Sequence, residues 1–150
     1  MKAQQLWEMF VENNPHVAGE TYEAWQFGGN PNQLLSLVKA GIKTATASAF
    51  LLYEIENATL PSKDSYSVIL NSKEEAEAII KTTKVSVVPF CEVSKEHAYR
   101  EGEGDRSLTY WREVHEAFFK EELASVNVPF SEDMLVVCEE FVLCFWVETE

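Results

Sequence analysis

Two short stretches of the chain carry residue types that do chemistry. In "AGIKTATAS" a glycine, a lysine and a threonine stand at Gly41, Lys43 and Thr46, with the spacing G-x-K-x-x-T. A lysine acts as a base only if its pKa falls from about 10.4 toward 7 or 8, through burial or a neighbouring cation. A threonine hydroxyl three residues away is then available as a nucleophile, and a carboxylic acid can protonate the leaving group. The second stretch, "EHAYREGEGDRSLTYWREVH", alternates carboxylates with glycines at Glu101, Glu103 and Asp105. A carboxylate in a cleft, its pKa raised by burial, can transfer a proton. Glu101 suits that role best, because it follows a short helix and lies upstream of the capping region. Glu103 and Asp105 stand just before a helix N-terminus, where the macrodipole favours negative charge. Lysine, threonine and glutamate together suit amide hydrolysis; the lysine alone, left protonated, suits holding a phosphate.

Other side chains are candidates of a plainer kind. His97 lies four residues before Glu101, so the two can meet on one helix face. His115 falls on the apolar side of its helix, where a hydrogen-bonded core histidine belongs. Trp25, Phe27 and Trp111 have flat faces on which a base can stack, although aromatics so placed also serve as core. Arg106 and Arg112 suit a phosphate or carboxylate partner. The three histidines are far apart and there is no H-E-x-x-H or D-x-[DN]-x-[DN]-G, so zinc and calcium have no frame. No metal and no cofactor is expected.

The elements that must position these residues can be read from periodicity and stop signals. A helix is expected over Ala3 to Glu12, with Leu6, Trp7, Met9 and Phe10 on its apolar side, ended by Asn13-Asn14-Pro15. "YEAWQFGGNP" reads as a short extended segment entering a turn. A second helix runs from Pro31 to Ala40, with proline at its first turn and Leu34, Leu35 and Val38 inward. Gly41 then stops it. Thr44 to Ser48 has strand character, and "AFLLYEIEN" is helical before Leu60-Pro61. "YSVIL" and "AEAIIKTTKVSVVPF" are strands around a polar turn at Asn71 to Glu75, with Pro89 at a strand end or sheet edge. Ser94 is a candidate N-cap, and Ser107 opens a helix carrying Leu108, Trp111, His115, Phe118 and Phe119 on one side. "MLVVCEEFVLCFWVE" closes the chain as one long or two short strands. With no βαβ rhythm, the class is α+β, mainly antiparallel.

Composition narrows the partners. At 150 residues with 46% hydrophobic and 25% charged residues, the chain is expected to form one soluble domain. No run approaches the 18 to 20 or so apolar residues of a membrane helix, and the N-terminus lacks a signal peptide's apolar core, so a cytoplasmic protein with no membrane partner is expected. Cys91, Cys138 and Cys144 lie in apolar sequence without a CxxC pair, which predicts buried free thiols. The net charge of −13 opposes binding to long DNA or RNA, where affinity comes from Lys and Arg against phosphates. A small nucleoside or nucleotide, or RNA held weakly and with steep salt dependence, remains compatible with a local pocket.

Taken together, "AGIKTATAS" after a helix and "EGEGDRSLTYWREVHEAFF" resemble the ASCH family, a branch of the PUA-like superfamily. The second stretch fits E-G-x-G-D-x-S-x-x-x-W-R-x-x-H-x-x-[FY]-F, and "YEAWQFGG" adds support. The resemblance runs from about Trp25 to the C-terminus, with roughly the first 20 residues as a helical extension. It implies a PUA-like β-barrel with flanking helices and a cleft beside the G-x-K-x-x-T loop. It also implies a binder of RNA or modified bases. A small bacterial branch hydrolyses the acetyl amide of N-acetylated cytidine with a lysine, a threonine and a glutamate. Carried onto this chain these are Lys43, Thr46 and Glu101, the last because "HAYRE" is similar to the segment before that branch's carboxylate. On the chemistry of their side chains and places set out above, the ligand-binding candidates are Gly41, Trp25, Phe27, Arg106, Trp111 and Arg112. The alternatives are a non-catalytic RNA- or nucleotide-binding module and a ribonuclease.

Overall fold

A computed structural model describes residues 1–148 of the chain. Helix α1 (Ala3–Asn13) is followed by a 3-10 turn at Pro15–Val17, strand β1 (Tyr22–Trp25), helix α2 (Pro31–Lys39), strand β2 (Ala45–Ala49) and helix α3 (Phe50–Glu56). The strands β3 (Tyr66–Leu70) and β4 (Ala76–Pro89) then form a hairpin. A 3-10 turn at Phe90–Glu92, helices α4 (Lys95–Glu101) and α5 (Leu108–Ala124), and strand β5 (Leu135–Trp146) complete the order.

The local chemistry explains the boundaries. Asn30 caps α2 by accepting from the Gln33 amide, with Pro31 in the first turn. Ser94 and Ser107 cap α4 and α5 in the same way, accepting from His97 and Tyr110. The β3–β4 turn is closed by Asn71, whose side-chain oxygen accepts from the amides of Lys73 and Glu75 at 2.9 and 3.0 Å.

All five strands form one sheet in the order β1-β3-β4-β5-β2. Successive residues of β3 and β4 serve opposite faces. Val68 and Ile79 pack under α1 with Leu6, Trp7 and Phe10, whereas Ile69, Ala78 and Ile80 pack with Leu35 and Val38 of α2. Both faces are therefore covered, and burying each of these large side chains contributes about 2 kcal/mol. A third cluster joins Phe90, Ala98, Trp111 and Phe119 to Val136 and Cys138 of β5.

The sheet departs from the expected barrel in two respects. It is mixed, because β1 pairs in parallel with β3, while the other three pairings are antiparallel. It is also open: β1 and β2 are its two edges and do not pair with each other. Residues of both edges line the groove that lies between them, including Trp25 of β1 and Thr46 and Ser48 of β2. The four-residue β1 was too short to show its pairing partner in its own pattern. A further correction concerns the thiols. Cys138 is buried and Cys144 half-buried, but Cys91 is exposed, in the 3-10 turn that follows β4. Burial pushes the Cys138 thiol up to about 12, with the Glu101 carboxylate adding to the effect. Among the described residues, no helix is long and apolar enough to cross a membrane.

Candidate functional site

The end of α2 sets the position of Lys43. Gly41 adopts φ +76°, a left-handed conformation that lets the chain reverse. The amides of Ile42 and Lys43 then both donate to the Leu37 carbonyl, at 2.9 and 3.1 Å. One residue on, the Thr44 amide donates to the carbonyl of Arg100 at 2.7 Å, tying this corner to the end of α4. The Thr44 carbonyl accepts from Phe141, and β2 begins. Gly41 thus works through the backbone; its surface is exposed and outside the cavity described below.

The end of α4 brings the carboxylate. Gly102 closes the helix at φ +74°, and a side chain there would meet the Ile42 carbonyl oxygen at 2.6 Å. The bare glycine lets two helix ends touch, and the contact places Lys43 against Glu101 although 58 residues separate them. Lys43 Nζ lies 3.2 Å from Glu101 Oε1 and 3.1 Å from Glu103 Oε2. It also stands 5.4 Å from the centre of the Phe27 ring. Lys43 and Glu101 are each only 1% exposed.

Glu101 is the hub of this cluster. Its Oε2 accepts from His97 Nε2 at 2.7 Å, the i,i+4 pair on one face of α4, and from Trp111 Nε1 at 2.6 Å. His115 donates Nδ1–H to the Trp111 carbonyl at 2.9 Å and sets Nε2 3.5 Å from Glu101 Oε1. Burial alone would raise the Glu101 carboxyl. The Lys43 ammonium, helped by the facing His115 ring and the hydrogen bond from His97, outweighs it and holds the group well below the usual carboxylate range. A buried charge is tolerable here because every face of it is paired.

Lys43, Thr46, Glu101 and Glu103 line one cavity of about 260 Å³, together with Phe27 and His115. Within it, Glu101, Glu103 and His115 turn donor atoms to within 4.8 Å of one another, a spacing that can hold a metal ion. The Lys43 ammonium already sits between the two carboxylates, so the cation in that place is the protein's own. The resting arrangement is ammonium facing carboxylate, not the neutral lysine a base requires. Thr46 Oγ1 makes no hydrogen bond to these groups among the described residues.

The remaining candidates are dispersed. Phe27 lines the cavity, while Trp25 lines the larger groove beside it. Trp111 is 2% exposed and stacked on His115, with ring centres 4.2 Å apart, so it has no open face for a base. Arg106 stacks over Tyr99 at 3.7 Å and donates to the Tyr99 carbonyl, bracing the loop outside the cavity. Arg112 donates to the Cys91 carbonyl, also away from the cavity. Asp105 caps the approach to α5, its carboxylate accepting from the Ser107 amide; hydrogen bonding with the Ser107 side chain and then with that amide lowers its pKa. Glu103 turns the other way, toward Lys43.

Two contributors are absent from a reading of the sequence alone. Glu103 was indistinguishable from Asp105 as a helix-start acid. Glu139, buried at 6% exposure, lies opposite Thr46 in the β2–β5 ladder, so both side chains leave the same side of the sheet. The signal for Glu139 is a carboxylate interrupting the apolar run of β5.

Comparison with known proteins bears on the family and the fold. A model of the ASCH domain matches residues 23–144. An ASCH domain from Lactobacillus crispatus JV V101 superposes with a TM-score of 0.88 at 29% identity, covering 94% of this chain and 92% of that one. A protein of Enterococcus faecalis V583, described under the family model DUF984, is 38% identical with a TM-score of 0.79, over 91% and 86% of the two chains. The hypothetical protein PH0355, at 20% identity and a TM-score of 0.53, covers 81% of this chain and 97% of its own and shares the fold alone. No curated protein matches the sequence. With the family model spanning most of its length, the chain belongs to the ASCH domain family and carries that family's PUA-like fold.

Proposed function

We propose that the cavity is a hydrolytic site for a modified nucleoside, cleaving the acyl amide of an N-acylated, cytidine-like molecule. The observation that carries this reading is the buried Lys43–Glu101 pair in the wall of a cavity that Thr46 also lines. In such a pair a proton can pass directly between the amine and the carboxylate. When a ligand displaces water from the cavity, separated charges lose solvation, and the neutral amine with the protonated carboxyl becomes accessible. The Lys43 amine then takes the Thr46 proton as the hydroxyl attacks the amide carbonyl. The regenerated ammonium stabilises the tetrahedral oxyanion. The carboxylic acid of Glu101 protonates the departing nitrogen, leaving an acyl-threonine that water hydrolyses. In that second step the Glu101 carboxylate takes the proton of the attacking water and the Lys43 ammonium returns one to Thr46 Oγ1, and Glu103 pairs the ammonium whenever it forms. In the alternative role of phosphate clamp, Lys43 would present a charge that two carboxylates already neutralise.

The test is turnover of N4-acetylcytidine by the purified chain and its variants. Wild type is expected to release acetate and cytidine. Lys43→Arg keeps the charge but cannot deprotonate, so turnover should vanish while ligand affinity changes by less than about tenfold, or roughly 1.4 kcal/mol. Thr46→Ala should behave likewise. An arginine variant with near-normal turnover excludes Lys43 as the base.

A further inference from the structure

Beside the reaction cavity lies a groove of about 840 Å³ between the two sheet edges. The two are continuous, sharing Phe27, Gly28, Thr46, Ala47 and Phe118 in their walls. A nucleoside-sized molecule whose reacting group reaches Thr46 must therefore extend its remainder into the groove, since the smaller cavity falls just below the usual range for a drug-sized ligand.

The groove has a definite chemical character. Trp25 stands half-buried in its wall, held edge-on to Phe27 at 5.1 Å between ring centres. Tyr53 lines it too, its hydroxyl paired with Ser48 Oγ at 2.9 Å. Glu139 is buried in the same wall, directly across the ladder from Thr46. Its Oε2 accepts from Thr82 Oγ1 at 2.6 Å, and its other oxygen has no protein partner among the described residues. Around the groove, Glu20, Glu23, Glu56, Asp64 and Glu122 add further carboxylates, against Lys63 as the lining cation. Burial pushes the Glu139 carboxyl up despite the hydrogen bond from Thr82 and pushes Glu122 up as well.

We infer that this groove is a second subsite in which Glu139 accepts a hydrogen bond from an N–H donor on a flat ring, and whose carboxylates reject phosphate. The inference rests on the reaction proposed above for the identity of the ring, a nucleoside base, but not for the existence of the subsite. A carboxylate oxygen is the natural partner of an exocyclic amino group, and in the acylated substrate it would accept the remaining N–H of the scissile nitrogen while Glu101 protonates that nitrogen's lone pair. Trp25 supplies a stacking face, which is sequence-tolerant and independent of charge. A dianionic phosphate in the same walls would meet buried Glu139 and several exposed carboxylates, a repulsive element that sets specificity most strongly at low ionic strength. Glu139 is on this account a specificity-determining residue, distinct from the proton-transferring cluster at Lys43.

Calorimetric titration of the full chain with cytidine and with cytidine 5′-monophosphate tests the subsite without requiring turnover. Wild type should bind cytidine at least about tenfold more tightly than the monophosphate. Glu139→Gln should weaken cytidine binding by about tenfold while leaving the melting temperature unchanged or raised at neutral pH, because it removes a buried charge. Glu23→Gln with Glu122→Gln should narrow the gap between the two ligands. Equal affinity for cytidine and its monophosphate in wild type overturns the subsite, and so does the absence of saturable cytidine binding. Hydrolysis of N4-acetylcytidine with an unchanged KM in Glu139→Gln overturns the subsite while the reaction stands. Selective cytidine binding by a chain that never hydrolyses the acetylated nucleoside overturns the reaction while the subsite stands.

Discussion

Glu101 is the residue on which the buried cluster turns, and its charge state yields a prediction with a definite sign. Its folded-state pKa lies well below the ordinary carboxylate value, so an unfolding chain takes up a proton that the folded chain refuses. The resulting stabilisation is fully present above the unfolded value of about 4.3 and is lost as pH falls through the depressed folded value. Glu101→Gln should lower stability at pH 7 by about 3 to 5 kcal/mol, since it leaves Lys43 in the interior with Glu103 alone. Its stability should also fall less steeply than wild type in acid. Urea denaturation at a series of pH values measures both, and parallel curves below about pH 4 would contradict the assignment. At this scale the sequence was informative where residue type and spacing coincide: Lys43, Thr46 and Glu101 stand out from their neighbours along the chain. Glu103 and Glu139 do not, because what distinguishes them from other acids is the direction each faces, which long-range packing decides.

At the scale of elements, the site depends on two helix ends meeting. Gly41 and Gly102 share the left-handed conformation, yet their surroundings differ: nothing lies within 4 Å of a side chain added at Gly41, whereas Gly102 abuts the Ile42 carbonyl. Gly41→Ala should therefore cost only the local conformational strain, about 1 kcal/mol. Gly102→Ala adds a backbone collision to that strain. It should cost about 1 to 3 kcal/mol more and push Lys43 away from Glu101. Thermal melts of the two variants should separate accordingly, and any hydrolytic turnover should fall in Gly102→Ala first; equal losses would show that the approach of the two ends is unimportant. Helix boundaries were legible because Pro31, Gly41, Ser94 and Ser107 act locally. The β3–β4 hairpin was legible for the same reason, through Asn71. The parallel pairing of β1 and the open seam between β1 and β2 were not, since both are fixed by where distant chain segments dock.

For the molecule as a whole, the acidic balance that argued against nucleic-acid strands reappears as the carboxylate-lined seam between the sheet edges. The edge strand β2 has a consequence of its own. Its sole partner in the sheet is β5, so Ala45 must find Glu140 in the last strand of the chain, a contact of long sequence separation. The β3–β4 hairpin, by contrast, closes over a short turn between Leu70 and Ala76, and contacts of short sequence separation form soonest. Assembly is therefore expected to begin with the hairpin and to finish with β2, and local opening should follow the reverse order. Hydrogen exchange should show the amides of residues 45–49 opening at lower free energy than those of β4 between Ala78 and Lys81; matching protection would refute this order. Because Lys43 and Thr46 enter the cavity only as β2 docks, a chain can acquire its helices, its hairpin and much of its core while still lacking the site. Its functional maturation would then lag behind its compaction, and a preparation judged folded by its helical signal alone could still contain molecules in which Lys43 has not met Glu101.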